Sequence, residues 1–184
     1  MKNQAGTHGY TLIELMTAIA IAGTLLAMAV PSFGDMIRNN RRTVAANELL
    51  TALAFARTEA AKRRQPIAVC AKAPAATACD SGPDWSNGWL VFVDPEGDGL
   101  PGDASQLLVQ AVEQPGLRIT AALSGGLLTH GAAVLRPFSE GSTNGTFTIC
   151  DGRGAAQARA VIVALNGRAR LSDRKSDGSP LACP

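Results

Sequence analysis

Apolar and polar positions follow three successive rhythms along this chain. Residues 1–9 (MKNQAGTHG) are polar and carry one Lys. From Leu12 to Val30 the chain is an apolar run of 19 residues, interrupted mainly by Glu14, Thr17 and Thr24. A helix of that length rises about 28 Å, close to the hydrocarbon thickness of a bilayer. Pro31 follows, and proline inside a helix removes one hydrogen bond and usually kinks it. Phe33 to Arg64 keeps the helical period. Ile37, Val44, Leu49, Leu53, Ala56 and Ala60 lie along one broad face, and Arg38, Arg41, Arg42, Glu48 and Arg57 mostly sit elsewhere. Gln65-Pro66 ends the pattern. One helix from about residue 11 to 64 would span roughly 80 Å. Its second half needs a sheet to cover its apolar stripe.

From Pro66 the period changes to that of strands. Short β-branched and apolar runs alternate with Gly, Asp and Pro clusters: Ile67–Ala71, Trp89–Val93, Leu107–Val112, Leu117–Ala121, Ala133–Phe138, Thr146–Cys150, Ala158–Leu165 and Arg168–Leu171. Asn166-Gly167 suits a two-residue hairpin turn between the last two. A helix followed by antiparallel strands predicts an α+β architecture, with a long N-terminal helix packed on a sheet domain.

Glu14 needs an explanation. A carboxylate in a membrane helix costs about 2.5–3.5 kcal/mol, so it should have a partner or a task. Ala27-Met28-Ala29 could be a signal-peptide cleavage site, giving a mature start at Val30, but such a peptide has no reason to carry Glu14. A plain anchor leaves Glu14 incidental. Gly9-Tyr10-Thr11-Leu12-Ile13-Glu14 resembles the prepilin processing motif, with Tyr10 where Phe is commoner. That resemblance implies a leader of residues 1–9, cut by a prepilin peptidase between Gly9 and Tyr10, and N-methylation of Tyr10. It further implies a retained segment 10–31 that sits in the inner membrane and later in a filament core. Glu14 would then pair with the positive amino terminus of a neighbouring subunit. Low-dielectric surroundings tolerate two charges mainly as a pair.

Composition adds limits. Apolar residues are 46%, charged residues 17% and aromatics 4%, so the core must be built from Ala, Val, Leu and Ile. The net charge of +2 hides an asymmetry. Residues 65–150 carry three basic and eight acidic side chains, whereas 151–184 carry six basic ones (Arg153, Arg159, Arg168, Arg170, Arg174, Lys175) and three acidic (Asp151, Asp173, Asp177). The four cysteines fit two disulfides in an exported protein, with three possible connectivities. Their order suggests Cys70–Cys79 and Cys150–Cys183. Zinc is disfavoured, because the chain has no Cys-x-x-Cys pair and its histidines are His8 and His130.

No nucleophile–base pair is visible, so an enzyme is not expected, and neither a cofactor nor a metal is implied. His130 has no Ser or Cys motif around it. Asp94-Pro95-Glu96-Gly97-Asp98-Gly99 resembles half a calcium loop, but Ser105 stands where a bidentate acid is wanted. Asp103 could partly substitute as a ligand, but an acidic strand-to-strand turn is the plainer reading. Trp85 and Trp89 read as core.

The string from Asp84 to Asp94 (DWSNGWLVFVD), Cys150-Asp151-Gly152-Arg153-Gly154 and Gly167-Arg168-Ala169-Arg170 together resemble the FimT/GspH group of minor pilins and pseudopilins. The type IV pilus (FimT-like) branch is the nearer. The resemblance implies a pilin-like fold, other major and minor pilins as filament partners, and a periplasmic domain that later reaches the cell-surface pilus. A Gly-Arg-x-Arg tail implies capture of extracellular double-stranded DNA in natural transformation. Arg168 and Arg170 are two apart on a strand and so share a face, with Cα atoms about 6.6 Å apart. Ala169 and Leu171 would anchor its other face. Arg153 sits in a Gly-flanked turn and could equally pair with Asp151, and Arg174 and Lys175 follow in a stretch expected to be flexible. Such a patch suits backbone phosphates without base reading. A priming role in pilus assembly, or a type II secretion pseudopilin, is the rival. The expected division is leader 1–9, membrane segment 10–31 and soluble domain 32–184. The last comprises an amphipathic helix 32–64, a β-rich region 66–171 and a basic tail 166–184.

Overall fold

A computed structural model describes residues 9–74, 77–103, 106–124, 131–137 and 142–183, apart from the side chains of 29–31. Residues 1–8 with His8, and Ser105, His130 and Phe138, lie outside the described residues. The chain divides into two compact units, Met1–Asn40 and Arg41–Pro184. One helix, α1 (Leu12–Arg63), contributes to both and runs through Pro31.

In the first unit, local chemistry starts the helix. Thr11 Oγ1 accepts the Glu14 N–H at 3.3 Å, and Thr-x-x-Glu is the spacing of a capping box. Glu14 lies in the first turn, where the helix dipole favours an anion. Thr17 and Thr24 donate their hydroxyls to the carbonyls of Glu14 and Ile21, so neither leaves a bare polar group in the apolar run. The large side chains from Tyr10 to Met28 are exposed, and this segment is long and apolar enough to cross a membrane.

In the second unit α1 buries Ala45, Ala46, Leu49, Ala52, Leu53, Ala56 and Ala60. Ile37 and Val44 were expected on this stripe but are exposed. The buried face runs through Ala45, Ala46, Leu49, Ala52 and Leu53, and Val44 lies beside it. The stripe packs on two antiparallel sheets. The first has the order β2 (Cys79–Asp80), β1 (Ile67–Lys72), β3 (Trp89–Val93), β4 (Leu107–Gln110), with β6 (Ala133–Leu135) also paired to β1. The second has the order β5 (Arg118–Ser124), β7 (Asn144–Cys150), β8 (Arg159–Val163), β9 (Ala169–Ser172). The two-residue β2 was too short to announce itself.

The strand sequences follow from what covers each face. β1 and β3 are buried on both sides and read as continuous apolar runs. Ile67, Val69, Val91 and Trp89 face the helix, whereas Ala68, Cys70, Leu90 and Phe92 form a second cluster on the far side. β7 and β8 contribute Phe147, Ile149, Val161 and Val163 to the main core. On the other face of that sheet, Cys150, Ala158, Ala160 and Ile162 are covered by Leu181 of the carboxy-terminal segment. Trp85 and Trp89 are both core, as expected, and Trp85 meets Phe147 edge to face with centroids 4.7 Å apart. The disulfides are Cys70–Cys79 and Cys150–Cys183. The second pins the carboxy-terminal segment over β8.

Candidate functional site

The basic tail is organised around the β8–β9 hairpin. Ala164 N–H donates to the Arg168 carbonyl, and Gly167 N–H to the Ala164 carbonyl. The connection is therefore a three-residue loop, Leu165-Asn166-Gly167, rather than the expected two-residue turn. Gly167 has φ +70°, the left-handed position this loop demands. Asn166 Oδ1 accepts the Arg168 N–H at 3.1 Å and stiffens the tip.

β9 is the edge of its sheet. Arg170 pairs in register with Ile162, which places it on the outer face, and Arg168 shares that side by alternation. Both are exposed, and no carboxylate pairs with either among the described residues. Ala169 packs against the core. Leu171 pairs with Val161 on the inner face, yet is 42% exposed because the edge position leaves one flank open.

Arg174 and Lys175 stand in an ordered turn, not the flexible stretch expected. An Arg174–Pro180 bridge closes it, with Lys175 N–H donating to Ser179 and Gly178 N–H to Lys175. Asp177 Oδ1 accepts the Ser179 N–H at 2.8 Å, and Arg174 donates to the Gly178 carbonyl at 3.2 Å. Hydrogen bonds from Ser179 hold the Asp177 carboxyl below its ordinary range, so it stays anionic beside Lys175. Arg170, Lys175 and Asp177 wall a groove of about 540 Å³ whose floor is Asn144, Thr146 and Ile162.

Arg153 has a different setting. Its guanidinium donates to Asp151 at 2.6 Å, and its backbone N–H to the same carboxylate at 2.9 Å. Arg42, reaching from α1, also lies 4.0 Å from Asp151 and donates to the Gln157 carbonyl. The Arg42, Asp151 and Arg153 side chains are 7%, 3% and 17% exposed. The hydrogen bond from Arg153 pulls the Asp151 carboxyl down against the opposing effect of burial. Sequence reasoning placed Arg42 off the buried face. Its spacing from Ala45, Ala46 and Leu49 was the available signal, and its charge was read as a sign of solvent.

The acidic loop turns on itself. Asp94 is buried and accepts N–H groups from Gly97, Asp98 and Gly99 at 2.8, 3.1 and 2.9 Å. Its carboxylate organises the turn, and among the described residues no group of three or more His, Cys, Asp or Glu side chains is placed to hold a metal ion. At the other end of the chain Gly9 and Tyr10 are exposed just ahead of the Thr11 cap.

Comparisons with known proteins bear on the amino terminus and on the domain as far as Gly167. The family described as prokaryotic N-terminal methylation motif matches residues 1–30. The family described as type II transport protein GspH matches residues 45–167. Two crystal structures of the type IV minor pilin FimU from Pseudomonas aeruginosa (strain PAO1) share the fold. One, in space group P65, gives a TM-score of 0.55 at 22% identity and covers 77% of this chain and 99% of that chain. The other, in P21, gives 0.54 at 21% identity, with 80% and 98% covered. No curated protein matches.

Proposed function

The chain belongs to the GspH family and is a GspH/FimT-like minor pseudopilin, of a type IV pilus or of type II secretion; from that premise we propose that it is a type IV pilus subunit that binds extracellular double-stranded DNA during uptake. The observation that carries this reading is the hairpin and closed turn. They hold Arg168, Arg170, Arg174 and Lys175 exposed within one short stretch, with the first two unpaired by any described carboxylate. Binding would be nonspecific, since guanidinium and ammonium groups meeting phosphates carry no base information. Arg153 is occupied by Asp151, and the four remaining cations together contribute about −3.6 to the log–log salt slope.

The test is a gel shift with the soluble unit, starting near residue 35, across a salt series. Retention at low salt that is lost in R168E/R170E supports the reading, and retention unchanged in that variant overturns it. For the amino terminus we propose cleavage between Gly9 and Tyr10, methylation of Tyr10, and pairing of Glu14 with a neighbouring subunit's amino terminus. The segment 10–31 is held in the inner membrane until assembly, and the domain 32–184 reaches the periplasm and then the pilus surface. Mass spectrometry of the mature chain checks this, and a start at Val30 would overturn it.

A second reading is a purely structural minor subunit that primes assembly, favoured by the uncovered apolar side chains from Tyr10 to Met28. Loss of DNA uptake with normal piliation in R168E/R170E points to the first reading. Unchanged uptake in that variant, with piliation lost on deletion, points to the second.

A further inference from the structure

Gly167 is buried although it lies at a hairpin tip whose neighbours Asn166 and Arg168 are exposed. Its cover comes from the helix. A Cβ on Gly167 would lie 3.4 Å from Arg57 Cδ and 3.6 Å from its Cγ and Nε. The aliphatic stem of Arg57 therefore lies across the hairpin tip, while the residue as a whole remains exposed. Stem packed and head in water is the usual way a long cation covers apolar or backbone surface. It also fixes the Arg57 guanidinium beside the residue preceding Arg168.

Charge pairing is the second, independent observation. Arg38, Arg42, Lys62, Arg63 and Arg153 each have a carboxylate within 4.0 Å. Arg57, like Arg168, Arg170 and other exposed cations such as Arg118, has none among the described residues, and what sets Arg57 apart is its packing on the hairpin that carries Arg168. Fixed cations drawn from two elements to one hairpin, without counter-charge, repel one another. An anionic ligand that spans them relieves that repulsion, and a nucleic-acid backbone supplies successive anionic phosphates along its length.

We propose that Arg57 is a phosphate-contacting residue, so that α1 and the β8–β9 hairpin form one cationic ridge for a nucleic-acid backbone. This rests on the DNA-binding reading above. The ridge adjoins the groove lined by Arg170, Lys175 and the anionic Asp177, because Ala164 and Leu165 of the same hairpin also line it. The groove has no aromatic floor on which a base could stack, which fits contact with sugar and phosphate alone.

The test uses the full chain in nonionic detergent with a 30-base-pair duplex, followed by fluorescence anisotropy from about 50 to 200 mM salt. R57M keeps the packed stem and removes the charge. It should weaken binding about threefold to tenfold at low salt and make the slope shallower by about 0.9, while R57K keeps the wild-type slope. R57E should weaken binding more than R118E, which changes the net charge equally but sits on β5, the opposite edge of the sheet. Near-ultraviolet circular dichroism of Trp85 and Trp89 checks that each variant is folded. Wild-type affinity and slope in R57M, or equal effects of R57E and R118E, would overturn the assignment of Arg57 while R168E/R170E still loses binding. If R168E/R170E also binds like wild type, the DNA reading itself fails.

Discussion

Arg153 and Arg168 each follow a glycine, in the turns that enter and leave β8. In the sequence both belong to the basic stretch 151–184. In the fold they have opposite fates. Arg153 joins Arg42 around the single carboxylate of Asp151, under cover, and ties the helix to the β7–β8 connection. Arg168 and Arg170 sit on an open edge strand with no described counter-charge. A count of basic residues therefore overstates a binding surface. Cations committed to a buried carboxylate hold the fold together, and those left in solvent remain available to a ligand.

Removing Asp151 should have the largest effect on stability. Asp151→Ala leaves two guanidiniums facing each other under cover and should cost about 3–5 kcal/mol in urea unfolding. DNA affinity of the folded fraction should be unchanged, and a matched loss of affinity would erase the distinction between the two sets of arginines. The same cluster predicts a pH dependence. The Asp151 carboxyl is depressed mainly by its hydrogen bond from Arg153. Its contribution is complete above the ordinary carboxylate value of about 3.9 and is lost as pH falls through the lower, folded value. Wild type should lose stability below about pH 4 more steeply than Asp151→Asn.

Breaking Cys150–Cys183 comes next. It closes a separation of 33 residues, and C150A/C183A should cost about 3–4 kcal/mol. It should also loosen the 174–180 turn, so hydrogen exchange at Lys175 and Gly178 should quicken. Gly167→Ala has a smaller effect, about 1–2 kcal/mol, set by its φ of +70°. The smallest effect on stability belongs to R168E/R170E, expected within about 0.5 kcal/mol of wild type by thermal unfolding. A large destabilisation there would show that these arginines also hold the fold.

Much of the fold was legible because its signals are local. The apolar run, the alternating strands and the presence of a turn at Asn166-Gly167 each depend on a few adjacent residues, although that turn has three residues and not the two expected. The buried stripe was less well read. Ile37 and Val44 are exposed and Arg42 is buried, because hydropathy could not anticipate that Asp151 and the Gln157 carbonyl would meet Arg42 beneath the surface. The candidate site was legible as a cluster in sequence and illegible as a surface. Arg57 lies far from residues 168–175 in the chain, and no periodicity connects them.

The sequence by itself determined the class of protein, the apolar amino-terminal segment and the helix-then-strands order, whereas the suggested cysteine pairing was one of three until the fold brought Cys70 to Cys79 and Cys150 to Cys183. Only the tertiary structure decided which cations are neutralised. Arg42 and Asp151, or Arg57 and Gly167, meet across long stretches of chain once the helix packs on the sheets. Whether a guanidinium finds a carboxylate or water depends on that meeting and not on its neighbours in sequence.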